Sequence, residues 1–152
     1  MASLADTASS LSGLDEAPNE DPERVVTLQS GSAVASCERS VLMQSSKVWR
    51  EALLHDPDAK NLVTCKDIRE STLHRLVMYL KACAKHPKEY PRLHRPLTAT
   101  TIQRVATAQQ LQFLEQCDGF GQVLELYMYA HCYEIDNLLQ LTALRIADSL
   151  VQ

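Results

Sequence analysis

"LELYMYAHCYEIDNLLQLTALRIADSL", residues Leu124 to Leu150, is the stretch on which the reading of the whole chain turns. Between Val123 and Ala130, apolar side chains fall on nearly every side of a helix. A helix of that kind has to be covered all round. Covering one leucine fully stabilises by about 2 kcal/mol, so a face left open is a sticky face. "EID", Glu134 to Asp136, interrupts the run, and Asp136 is suited to cap the helix that follows. Two closing helices are therefore expected. Val123, Leu126, Ala130, Leu138 and Leu141 are assigned to the core. Tyr127 and Tyr129 carry a polar tip on an apolar ring and suit an interface better than a sealed interior.

Working outward, "RVVTLQS" (Arg24 to Ser30) alternates apolar with polar residues, the mark of a half-buried strand. Gly31-Ser32 makes the turn, and "AVASC" (Ala33 to Cys37) is a short second strand. "ERSVLMQSSKVWREALLHDPDA" switches to helical spacing. Ser45 or Ser46 caps a helix carrying Val48, Trp49, Ala52 and Leu53, Pro57 closes it, and Trp49 is a core residue. "NLVTC" (Asn61 to Cys65) is a third strand. Leu73, Leu76, Val77 and Leu80 then recur at three and four, one face of a solid helix with Ser71 or Thr72 in its first turn. "PKEYPRLHRPL" is a proline-rich loop. Thr98 to Gln116 reads as one weaker helix with Ile102, Val105 and Ala106 on a side, ended by "CDGFG", Cys117 to Gly121. The order is β-β-α-β-α followed by helices, without internal repeat.

Residues 1–23 are poor in large apolar side chains and are expected to be a disordered polar tail, leaving one folded domain over residues 24–152. The net charge of −4 disfavours nucleic acid as the main ligand. The five cysteines form no CxxC pair, and "MASLADTASS" lacks the basic start and apolar run of a signal peptide. Reduced thiols and a cytoplasmic and/or nuclear location are the expectation. No stretch is apolar enough to cross a bilayer.

The element order and four strings resemble the BTB/POZ superfamily, nearest to its Skp-type and elongin-C-like adaptors of cullin–RING ubiquitin ligases. "VVTLQS" is similar to the opening strand of that family, and "MQSSKVWREALL" to its Gln-Ser-x-x-(Ile/Val) helix. "NLVTCKDIRESTLHRLVMYL" is similar to its strand, turn and long helix. "VLELYMYAHCYEIDNLL" resembles its Leu-x-Glu-Leu-x-x-Ala-Ala-Asn-Tyr-Leu-Asp-Ile-x-x-Leu-Leu signature, and the likeness spans about Arg24 to Leu150. The resemblance implies an α/β (α+β) BTB/POZ fold, with a small three-stranded sheet flanked by helices and a closing C-terminal helical pair. It implies an adaptor that bridges an F-box-like or SOCS-box-like receptor to a cullin. Leu124, Tyr127, Leu139, Ala143 and Ile146 match the receptor-facing positions. His131 and Cys132 stand where the family carries Asn and an aromatic toward the cullin, with Glu134 beside them. Arg145 and Asp148 would flank the groove and set orientation. The basic loop and extra helix at residues 85–116 depart from the pattern: the loop after the long helix is acidic in many Skp-type proteins and basic here, through Lys85, Lys88, Arg92 and Arg95, and the helical stretch from Thr98 to Gln116 is an addition.

Other chemistries fare worse. No Walker loop, HExxH, Rossmann fingerprint or nucleophile elbow occurs, so no catalytic residue is assigned and an enzyme is not expected. Cys83 and His86 have C-x-x-H spacing without a second half, so neither a metal nor another cofactor is expected. Lys85, Lys88, Arg92, Arg95, His86 and His94 make a basic loop that a nucleic-acid-binding module could use; the blander reading is a solvated loop. Two further alternatives keep the same groove: a Skp-like scaffold subunit of a non-ligase assembly, such as a kinetochore or chromatin complex, and a homodimer through the C-terminal helices.

Overall fold

Residues 24–55, 62–65, 67–93 and 101–150 are described by the computed structural model. The expected tail over 1–23, Pro57, Asn61, the loop residues His94 and Arg95, and Thr98 lie outside them. Alternation in the first segment produces β1 (Val25–Ser30) and β2 (Ala33–Glu38). Val26, Leu28 and Ser30 are buried on one side, together with Ala33, Ala35 and Cys37, which pair with them across an antiparallel ladder. Gly31 has φ +60 at the first central position of the two-residue turn, where a type II′ hairpin needs glycine. β3 (Leu62–Thr64) pairs parallel with β1, giving the order β2-β1-β3. It is shorter than the expected Asn61 to Cys65, although the Cys65 N–H still donates to the Gln29 carbonyl at 2.7 Å.

The helical run after β2 divides into α1 (Arg39–Ser45) and α2 (Lys47–His55), the second starting after Ser46 as the cap reading expected. Ser46 between them is extended, with φ −131 and ψ 122. Its Oγ accepts the Trp49 N–H at 3.0 Å, the bond of an N-cap, and its hydroxyl donates to the Tyr133 carbonyl. α3 (Glu70–Lys85) buries Leu73, Leu76, Val77 and Leu80 as expected, and Tyr79 beside them. The weaker helix is corrected to two, α4 (Ile102–Val105) and α5 (Ala108–Glu115). The break follows from Thr107, which forms a capping box with Gln110 and donates its hydroxyl to the Glu89 carbonyl at 2.6 Å. α6 (Gly119–Cys132) begins inside the expected breaker, so only Cys117 and Asp118 remain a turn; α7 (Asp136–Leu150) closes the chain.

The architecture is mixed α/β, with a three-stranded sheet, helices against one of its faces and a C-terminal helical pair. Its core gathers Leu28, Leu42, Trp49, Leu73, Leu76 and Leu80 with Leu126, Leu138 and Leu141. Tyr79 is fully enclosed and donates to Asn137 Oδ1 at 2.6 Å, while Gln110 Nε2 donates to the Pro91 carbonyl at 2.8 Å and faces the Tyr79 oxygen at 3.3 Å. This polar cluster ties α3, α5 and α7 together where the core would otherwise be oil.

Candidate partner-binding site

The geometry of the helical pair starts at its hinge. The Ile135 N–H donates to the Ala130 carbonyl at 2.9 Å, and the Glu134 N–H to the His131 carbonyl at 3.4 Å. Glu134 has φ +53. This is a Schellman ending with Glu134 in the left-handed position that glycine commonly fills, and Ile135 plugged into the core. Tyr133 stacks on Trp49 at 5.0 Å between centroids and packs on Tyr129 at 5.2 Å. Tyr129 is therefore a buried residue, a correction to its reading as an interface aromatic. Asp136 is not the cap of α7 but its first residue, and its carboxylate accepts Arg92 Nη2 at 2.7 Å. An acid in a first turn also suits the helix dipole.

The sharp hinge folds α7 back along α6, and Arg145 lies over the Phe120 ring at 5.8 Å at the far end. Val123, Leu126, Ala130, Leu138 and Leu141 all face the core, as assigned from sequence. The opposite side of α6 carries Leu124, Tyr127, Met128 and His131, spaced at three and four so that they form one stripe. Leu124 is 39% exposed and Met128 63%. On α7 the matching stripe is Leu139, Ala143, Ile146 and Leu150; the first three are half-buried and Leu150 is 78% exposed. On each helix the stripe lies across from the core-facing residues by helical phase. Of the five residues singled out by sequence, Leu124 is exposed, Tyr127, Ala143 and Ile146 are half-buried, and Leu139 packs against the core. Sequence reasoning missed Met128 and Leu150, though each lies four residues from a chosen position. Two clefts flank the pair, one of about 430 Å³ beside Glu134 and Asp136 and one of about 340 Å³ beside Phe120 and Arg145. Neither includes the five residues, which form a face rather than a pocket.

Arg145 and Asp148 do not border this face. Asp148 is buried, and its Oδ2 accepts the Ile102 N–H at 2.9 Å, which fastens the start of α4 to α7. Arg145 spends its guanidinium on Phe120. Both project to the other flank of the helix, about 130° or more round from Ala143 at 100° per residue. Glu125 is likewise structural: it takes Arg69 Nε at 3.0 Å on both oxygens and accepts the Thr72 hydroxyl, anchoring the first turn of α3 to α6. His131, Cys132 and Glu134 are all exposed around the hinge, with the His131 ring stacked against Tyr127 at 6.5 Å. They continue the apolar stripe of α6 into a polar end.

None of the five cysteines is in a disulfide. Burial pushes the Cys37 and Cys83 thiols up to about 12 and that of Cys65 to about 11. They are thiols, not thiolates, at neutral pH. In the basic loop, His86 lies 3.7 Å from Glu89 and Arg92 is bound to Asp136, so part of its charge is answered internally. Among the described residues no group of three or more His, Cys, Asp or Glu is placed to share a metal ion, and no helix is long and apolar enough to cross a membrane. Fold and site together define a small mixed α/β chain whose C-terminal helical pair presents an apolar face to solvent. No family model matches the chain, and no curated protein matches it in sequence.

Proposed function

We propose that this chain is a non-catalytic adaptor of the BTB/POZ type, similar to the Skp and elongin-C adaptors. The α6–α7 face would hold an amphipathic helix of an F-box-like or SOCS-box-like receptor, and the hinge would meet a cullin through His131, Cys132 and Glu134. The observation that supports the reading is the exposure of Leu124 and Met128 on α6 and Leu150 on α7, with an exposed polar hinge between the helices. A partner helix laid along them covers Leu124, Met128, Ile146 and Leu150 at once. Each such side chain gains about 0.5–1.5 kcal/mol when its exposed part leaves water. The ion pair of Arg92 with Asp136 lowers the phosphate affinity that the basic loop could offer, which disfavours the nucleic-acid alternative.

The test is affinity capture of the tagged chain from cells, with identification of bound proteins. Recovery of a cullin with a receptor supports the ligase role. A stable non-ligase assembly without a cullin would replace it with the scaffold role. Leu124→Asp combined with Met128→Asp places two charges on the exposed side of α6 and should abolish capture while leaving the far-ultraviolet circular dichroism unchanged. Undiminished capture by a folded double variant overturns the assignment of the face.

A further inference from the structure

The sheet has a second open feature, at the outer edge of β2. In the order β2-β1-β3, no strand among the described residues pairs with that edge. Ala33, Ala35 and Cys37 turn their backbone groups to β1, opposite Ser30, Leu28 and Val26. Val34 and Ser36 between them turn theirs outward. His74 confirms the direction, since its Nε2 lies 3.0 Å from the Val34 carbonyl. Among the described residues it is the one group that bonds the outward backbone of Val34 or Ser36. Natural sheets blunt such edges with proline, bulges or inward-pointing charges. The Ala33 to Cys37 stretch has no proline or charged residue, and its register with β1 is unbroken.

Beside this edge runs an open cleft of about 540 Å³, between Val34 to Ser36 of β2 and His74, Val77, Met78 and Lys81 of α3. Val34 is 46% and Met78 48% exposed. α3 follows β2 in the same sense, with His74 against Val34 and Lys81 beside Cys37. From His74 to Lys81 the helix rises about 10 Å, the length of three strand residues. No carboxylate lines the cleft, and Lys81 makes no ion pair among the described residues.

We propose that the edge of β2 receives an extended peptide as a fourth, antiparallel strand. Its outward-facing backbone partners are Ser36 and the Val34 N–H, and it reaches the Val34 carbonyl by displacing His74. Its inward side chains are an acidic residue opposite Lys81 and, two positions on, a β-branched apolar residue over Val77 and Met78. Main-chain bonds supply the affinity and the alternate side chains the selection. Charge fixes the order: an antiparallel peptide enters at the Lys81 end, so the acid precedes the apolar residue.

The probe is the blocked peptide acetyl-Ser-Thr-Glu-Thr-Val-Thr-Ser-amide, titrated into the isotope-labelled full chain and followed by amide NMR shifts. The Val34, Ser36 and Met78 amides should move together and saturate. Ser36→Pro removes an outward N–H without touching the ladder to β1, a place where an edge strand tolerates proline. It should weaken binding at least tenfold. Lys81→Glu should weaken it several-fold, and a peptide with Lys in place of Glu should recover that loss. Amides that stay still at saturating peptide overturn the proposal, as does equal binding by Ser36→Pro. If Ser36→Pro does not fold, the Lys81 charge exchange decides alone: recovery supports the proposal and its absence overturns it. A wild-type dimer in sedimentation that Ser36→Pro dissolves would give the edge to a second copy and overturn the peptide as occupant. Leu124→Asp with Met128→Asp should bind the probe unchanged, which separates this site from the α6–α7 face.

Discussion

Glu134→Gly should make the protein more stable. Glu134 holds φ +53, the left-handed region, at the end of α6. A side chain with a Cβ pays about 1–2 kcal/mol to sit there, because Cβ crowds the neighbouring carbonyl. Glycine avoids that cost but loses more freedom on folding, by about 0.5–1 kcal/mol. The net expectation is a gain of about 0.5–1 kcal/mol. With a urea m-value of about 2 kcal/mol/M, the midpoint should rise by roughly 0.3–0.5 M with no change in slope. The chain supplies its own reporter, since its one tryptophan, Trp49, is buried and stacked on Tyr133, next to the substituted residue.

Glu134→Ala separates backbone from side chain. It removes the same carboxylate but keeps a Cβ in the left-handed region, so it should show no gain. If glycine is neutral or destabilising, or if alanine gains as much as glycine, the hinge is not strained and the reasoning fails. The same pair of variants bears on the adaptor reading. A glutamate kept where glycine is cheaper points to a use for its carboxylate. Both variants should then weaken cullin capture equally, while only one of them raises stability.

Tyr79→Phe leaves Asn137 Oδ1 without its buried donor and should cost about 1–3 kcal/mol, read as a lower urea midpoint. Ser46→Ala removes the cap of α2 and the bond to the Tyr133 carbonyl, and should cost about 1–2 kcal/mol while red-shifting Trp49 emission. Under reducing conditions stability should fall as pH rises from 9 toward 11, because Cys37, Cys65 and Cys83 ordinarily ionise near 9.0 but are held to about 11 or above when folded. The unfolded chain then sheds protons that the folded chain keeps, which favours unfolding. Urea midpoints across that range test it, and a flat profile would remove the buried thiols from the account.

The parts of the fold that were legible in the sequence share one property: a single element's own pattern determines them. Alternation in "VVTLQS" and the Leu73–Leu80 spacing are answered by one buried side each. What escaped depends on a second element. Thr107 breaks a helix because Glu89, earlier in the chain, offers a carbonyl to its hydroxyl, whereas the cap at Ser46 was legible from its own segment. Arg145 and Asp148 read as polar residues on an apolar helix, but only the placement of Phe120 and Ile102 tells which way they point. The left-handed Glu134 carries no signal at all, since glutamate there is an exception to the chemistry that makes such sites readable. The same logic explains why the core side of α6 was legible while Tyr129 was misread. A helix apolar on two sides has no sharp phase of its own; one side becomes inside only when another element covers it. Here the hinge supplies the phase. It fixes Ile135 in the core, turns α7 back, and so sends Leu126 and Leu138 inward and Met128 and Leu150 outward together. The open face is thus a consequence of the hinge geometry. A variant that loosened the hinge should let the two stripes close on each other and lose the partner without losing the helices.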